Sequence, residues 1–261
     1  KPDAETLAVA PHHLIDIRDP SEAYSVAEFC QDALALMAEI TARGNVPLLA
    51  GGTMMYYKAL KDGLADLPQS DVGVRAQLEA DVAADGVPAL HARLAEVDPD
   101  SAQRLHATDS QRVLRAMEVY LISGETLTSH WARQHAYELP YTVTSIGLWP
   151  PERAVLHERI ERRFQIMLGQ GFEQEVAALR ARGDLNLNMP SMRCVGYRQM
   201  WQYLDGEFEH DAMIHKGVVA TRQLAKRQLT WLRSWPDLHY FDSLDSNLAF
   251  TVLKLLDRMT I

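Results

Sequence analysis

Between His13 and Lys61 the chain alternates apolar runs with amphipathic ones, and that order limits the fold more than any other feature. His13-Leu-Ile-Asp-Ile17 reads as a short buried strand closed by Arg18-Asp19-Pro20. Ser25-Val-Ala-Glu28 spells a capping box, in which the Ser hydroxyl accepts from the backbone while Glu reaches back, so a helix is expected to about Arg43, stopped by Gly44. Val46-Pro-Leu-Leu-Ala50 reads as a second strand, and Gly51-Gly52-Thr53 leads directly into a helix over about 54–61. Strand, helix, strand, helix is the order of a parallel α/β sheet.

From Leu67 the pattern changes. Asp71 to Gly124 shows helical periodicity with no strand candidate, broken at Gly86, at Asp98-Pro99 and around His106 to Asp109. Strand character returns over 142–148 and ends at Pro150-Pro151. A long amphipathic helix is expected over about 152–168, stopped by Gly169 and Gly171, then further helices including one over about 211–235. Leu238-His-Tyr-Phe241 reads as a last strand before a terminal helix. The expected fold is therefore α/β, a core of residues 1–66 and 136–261 holding an all-helical insertion at 67–135.

Hydrophobic residues make up 47% and charged residues 23% of the 261, an ordinary globular balance. No apolar run is long enough to span a bilayer and no signal-peptide pattern opens the chain. Cys30 and Cys194 are far apart and lack metal-ligand spacing, which fits a reducing cytoplasm and indicates neither a zinc site nor a disulfide framework. The formal charge of −9 excludes a protein that coats nucleic acid indiscriminately. Yet Arg193 to Trp201 and Arg222 to Arg233 contain no Asp or Glu and interleave cations with Tyr and Trp. Those residue types hold phosphates and stack on bases, which points to a local polyanion site.

Each candidate also has a plain structural reading. Gly51-Gly52-Thr53 either lets backbone approach an anionic ligand or simply makes a tight turn with Thr53 as helix cap. Arg112 and Arg115 share a helix face after the capping residue Asp109, and either grip phosphate or face solvent. Arg159, Arg162 and Arg163 alternate with Glu158 and Glu161; a mixed run of this kind is a solvated face unless one arginine turns inward to neutralise a diphosphate. On the 222–233 helix, Arg222, Lys226 and Arg233 fall on one narrow face flanked by Arg227 and Thr230, with Leu224, Leu229, Trp231 and Leu232 opposite. Tyr197, beside Gly196, either stacks on a base or belongs to the core. No Gly-x-Ser-x-Gly elbow supports serine catalysis.

Taken together, His13 to Pro20, Gly51-Gly-Thr-Met54, Asp109 to Arg115, Arg159 to Met167, Arg193 to Trp201 and Arg222 to Arg233 resemble the tRNA dimethylallyltransferase family, the bacterial type of tRNA isopentenyltransferase. The resemblance implies a P-loop-NTPase-like parallel sheet core and an inserted helical domain that clasps the anticodon stem-loop. It also implies dimethylallyl diphosphate as donor, Mg²⁺ on that diphosphate, and transfer to N6 of adenosine 37. Thr53 matches the threonine facing the target adenosine, and Arg163 an arginine that clamps the diphosphate. Arg75, Gln111, Arg112, Val113, Leu114 and Arg115 match tRNA contacts. So do Arg193, Cys194, Val195, Gly196, Tyr197 and Arg198, and the run Lys226, Arg227, Gln228, Leu229, Thr230, Trp231, Leu232 and Arg233. A cytoplasmic monomer is expected.

The family's glycine-rich loop and its general-base Asp correspond to a segment upstream of Lys1-Pro2, so this exact chain alone is expected to lack turnover. Two other readings stay open: a relative that prenylates free adenine nucleotides, and a non-catalytic RNA-binding fragment.

Overall fold

The computed structural model describes residues 2–133 and 139–259. Lys1 and the expected domain boundary at 135/136 lie outside the described residues. The chain divides into two compact units, Lys1–Tyr57 with Tyr141–Ile261, and Lys58–Pro140.

The first unit opens with α1 (Ala4–Val9), capped by the Asp3 carboxylate accepting from the Thr6 N–H at 2.8 Å. By its sequence this stretch reads only as polar. The expected capping box then opens α2 (Val26–Ala42): the Glu28 N–H donates to Ser25 Oγ and the Ser25 N–H to Glu28 Oε2. Helix α3 (Met54–Asp62) follows the Gly51-Gly52-Thr53 turn and runs across the division between units.

Neither of the first two expected strands forms. Leu14 and Asp16 have φ of 60° and 54°, left-handed values that break the pleat of a strand over 13–17. Residues 46–50 carry no ladder, and Val46 and Leu48 are 62% and 86% exposed. An apolar run becomes a strand only when another strand supplies its hydrogen bonds, and none of the described residues does so here.

The second unit is all helical, with α4 (Val72–Asp85), α5 (Val87–Val97), α6 (Pro99–Arg104), α7 (Ser110–Ser123) and α8 (Leu127–Ala132). Asp71, Asp98, Asp109 and Thr126 each cap a helix through the side chain. Leu78, Leu90, Leu94, Val113, Met117 and Val119 form its core. Asp98 is buried with them and is satisfied by the N–H groups of Ser101 and Thr128 and the Thr128 hydroxyl.

Back in the first unit come β1 (Ser145–Trp149), α9 (Arg153–Gly169), α10 (Phe172–Ala181), α11 (Tyr197–Leu204), α12 (His210–Arg233), β2 (Leu238–Asp242) and α13 (Leu248–Asp257). β1 and β2 pair in parallel, from Ser145 opposite Leu238 to Trp149 opposite Asp242, with α9 to α12 as the crossover. Among the described residues this two-stranded sheet is the only one, so the expected P-loop-like sheet is present only as this parallel pair. The core gathers Ile160, Phe164, Phe172, Val176, Met192, Met200 and Met213. Gly217 lets α12 close on α9: a Cβ there would stand 2.5 Å from the Phe164 ring.

Candidate functional site

On α9, Ile160 and Phe164 turn into the core, which leaves Arg159 and Arg163, four residues apart, side by side on the outer flank. They rim a groove of about 370 Å³ floored by Ile160, Phe164, Met167, Val195 and Leu224, with Gly196 and Thr221 completing the wall. No ion pair among the described residues holds either arginine. The groove thus offers an apolar floor beneath two uncommitted guanidiniums. None of its lining residues carries a carboxylate, and no group of three or more His, Cys, Asp or Glu stands together among the described residues. The lining of this groove therefore supplies no carboxylate to a cation; anionic charge here meets guanidiniums.

The loop before α11 supplies the far wall. Gly196 has φ of 95° and donates its N–H to Gln199 Oε1 at 2.8 Å, a conformation open to glycine at little cost. Tyr197 packs edge-on against Phe172 at 5.2 Å and donates its hydroxyl to Glu175, so it is bound into the protein. Burial and the Glu175 carboxylate push its phenol well above the ordinary range. Cys194 turns its thiol to the Pro190 carbonyl at 3.6 Å, Val195 lines the groove, and Arg193 and Arg198 reach outward.

Helix α12 carries the second basic segment. Lys226, Arg227, Thr230 and Arg233 are exposed, while Gln228, Leu229, Trp231 and Leu232 are half-buried, as the helical periodicity requires. Arg222 departs from the expected cationic stripe. It leans on α9, pairing with Glu161 at 3.1 Å, and its buried Nε has no acceptor among the described residues. One turn and a half further on, Gln228 donates to the Gly52 carbonyl at 2.9 Å, joining α12 to the turn that presents the exposed Thr53.

That contact revises the reading of the two glycines. A Cβ on Gly51 would lie 3.1 Å from the Tyr57 hydroxyl, and one on Gly52 would fall far inside contact with the Gln228 amide. Glycine at these positions makes room for the protein's own side chains.

The remaining candidates lie in the helical unit. Val113 and Leu114 are buried in its core, so their side chains cannot form a contact surface. Arg115 is not an uncommitted cation: it pairs with Glu118 at 2.9 Å and donates to the Pro68 carbonyl at 2.7 Å. Gln111 is exposed, Arg112 is 74% exposed and lies 3.5 Å from Asp109, and Arg75 pairs with Glu79 at 2.9 Å.

One link has no signal in the sequence. Arg182 donates to both oxygens of Asp19, at 2.8 and 2.9 Å, and also to Asp184, while the Ser191 hydroxyl donates to the Pro20 carbonyl at 2.6 Å. The guanidinium, aided by Ser21, holds the Asp19 carboxyl far below the usual carboxylate range. The partners are 163 residues apart, and no local pattern could have paired them.

A family model for IPP transferase matches residues 1–235. The chain belongs to the IPP transferase family. The tRNA isopentenylpyrophosphate transferase of Bacillus halodurans is 36% identical, with a TM-score of 0.66 over 98% of this chain and 80% of that one. The tRNA delta(2)-isopentenylpyrophosphate transferase of Staphylococcus epidermidis is 29% identical, with a TM-score of 0.64 over 98% and 83%. A eukaryotic dimethylallyltransferase acting on tRNA, 22% identical, shares the fold with a TM-score of 0.82 over 98% and 67%. No helix of the described residues in this IPP transferase relative is long and apolar enough to cross a membrane.

Proposed function

We propose that the protein transfers a dimethylallyl group from dimethylallyl diphosphate to N6 of adenosine 37, in the anticodon loop of tRNA, acting as a monomer in the cytoplasm. The observation that carries the reading is the apolar groove under Arg159 and Arg163, walled by the same helix that bears Lys226, Arg227 and Arg233. Its floor suits a short branched hydrocarbon and its rim suits a diphosphate. Arg163 is the clamp in this reading.

The exocyclic amine of adenine is a poor nucleophile because its lone pair is delocalised into the ring. Transfer forms the bond from N6 to the allylic carbon, breaks the carbon–oxygen bond to diphosphate, and releases a proton from nitrogen. The protein's share is to align the amine and to stabilise charge on the departing diphosphate, for which the uncommitted guanidiniums are available. Mg²⁺ enters only as a companion of the diphosphate. A base in a loop is extruded at lower cost than a paired one, which suits an anticodon target. The exposed cations Lys226, Arg227 and Arg233 of α12 hold the stem-loop by its phosphate backbone.

A single assay tests this. The full-length protein is incubated with dimethylallyl diphosphate, Mg²⁺ and either unmodified tRNA or AMP. Prenylated tRNA is the expected product; product on AMP alone overturns the reading in favour of a free-nucleotide enzyme, and tight tRNA binding without product in favour of a binding module. Thr53→Ala is expected to lower turnover far more than tRNA affinity; an equal loss of both would remove Thr53 from the reacting centre.

A further inference from the structure

We propose that Gln228 is a positioning residue that ties the RNA-facing helix α12 to the turn carrying Thr53, so that the direction of Thr53 is set from α12. The proposal rests on the transferase reading above and deepens it.

One contact, seen as a hydrogen bond and as close packing, carries it. The Gln228 amide donates to the Gly52 carbonyl at 2.9 Å across 176 residues of sequence. The space beside Gly52 is filled by that same amide, leaving no room for a Cβ. A carbonyl can only accept, so the amide must turn its NH₂ toward Gly52. One N–H of the Gln228 amide is thereby committed to the protein, and its second N–H and its oxygen are what it can offer a ligand.

The bond acts directly on Thr53. The Gly52 carbonyl and the Thr53 N–H belong to one planar trans peptide and point in opposite directions. Holding the carbonyl toward α12 therefore aims the Thr53 N–H away from it. The peptide on the other side of Thr53 is also held, because the Thr53 carbonyl accepts from the Tyr56 N–H at 2.9 Å. Tyr56 in turn stacks on Phe29 of α2 with ring centroids 4.2 Å apart. Both peptide planes flanking Thr53 are anchored, one to α2 through α3 and one to α12 through Gln228. The α12 anchor sits beside exposed Lys226 and Arg227, so a phosphate backbone that loads those cations loads the helix that aims Thr53.

The test uses the full-length enzyme with dimethylallyl diphosphate and an unmodified anticodon stem-loop RNA. Gln228→Leu removes the donor at similar size, and Gly52→Ala pushes the amide away. Each is expected to lower kcat on the order of tenfold or more, the scale of a displaced reacting group, with RNA Kd changed by less than about threefold. In the double variant Gly52→Ala/Gln228→Ala, set against Gly52→Ala and Gln228→Ala alone, the clash is gone, so its loss should not exceed that of the worse single change, a non-additivity that unrelated sites would not give. A Gln228→Leu protein whose RNA affinity falls while kcat at saturating RNA is unchanged overturns the proposal, leaving Gln228 as an RNA contact. If Gln228→Leu does not fold, Gly52→Ala alone decides by the same kcat criterion. Amide hydrogen exchange over residues 52–57 gives a readout independent of turnover. Faster exchange there in Gln228→Leu, with α2 and α9 unchanged, supports the anchor, and unchanged exchange overturns it. If the unmutated enzyme makes no product on RNA, the transferase reading fails while the exchange result still judges Gln228.

Discussion

Arg115 spends its guanidinium on Glu118, whose carboxylate is 1% exposed, and on the Pro68 carbonyl; Ser70 donates to the other Glu118 oxygen. Removing the arginine strands a buried charge with one partner. Arg115→Ala should therefore cost roughly 2–4 kcal/mol in urea unfolding, below the fullest cost of breaking a buried pair because the guanidinium is partly hydrated. Glu118→Gln should cost less, since it leaves no buried charge, although its single amide oxygen keeps an acceptor for only one of the two donors. If Arg115→Ala instead weakened RNA binding at unchanged stability, the guanidinium would belong to a ligand. The warning was legible in the sequence, because an acid three residues on shares the helix face, and an arginine with such a neighbour is committed before any ligand arrives. Arg182 carried no such signal: its partner Asp19 is brought to it only by the fold. Gln228 belongs with Arg182, since the Gly52 carbonyl is far away in sequence and a run of basic and aromatic residues conceals a glutamine that points inward.

At the scale of elements, helix ends were readable and strands only in part, the later two forming as β1 and β2 and the first two not, for one physical reason. A cap is made by residues three apart, so Ser25, Asp71, Asp98 and Asp109 announce themselves locally. A strand is completed by a neighbour that no short window contains, and the runs at 13–17 and 46–50 have the right residues without one. The α2 cap also yields a pH prediction. The Ser25 backbone and hydroxyl, with Arg18, hold the Glu28 carboxyl down at about 2. Its folded value is below its unfolded one, so the box contributes fully above the ordinary carboxylate range and is lost only as pH falls toward 2. Carboxyl chemical shifts of Glu28, followed with exchange of the first-turn amides of α2, should show the turn intact at about pH 4, the ordinary glutamate range, and loosening only well below it. A Glu28→Gln protein should show no such acid step. Titration of Glu28 in the ordinary glutamate range would mean that the box does not hold in solution.

For the molecule as a whole the decisive quantity is a charge of −9. The net field repels a polyanion, so affinity must come from arginines and lysines that are not already neutralised. Arg180, Arg182 and Arg222 are paired with Asp205, Asp19 and Glu161, whereas Lys226, Arg227 and Arg233 have no acidic partner among the described residues. Each cation that meets a phosphate releases a condensed counterion, so the logarithm of affinity falls linearly with the logarithm of salt, in proportion to the phosphates neutralised. Arg227→Ala should weaken tRNA binding and flatten that line by about 0.7 to 1 for each phosphate the side chain no longer meets. Arg182→Ala removes the same formal charge from an arginine committed to carboxylates, and should leave the slope unchanged. Measuring both variants across a salt series separates local phosphate binding from net charge. Equal flattening would mean that the whole protein's field governs binding, and an unchanged slope for Arg227→Ala would take the RNA off α12.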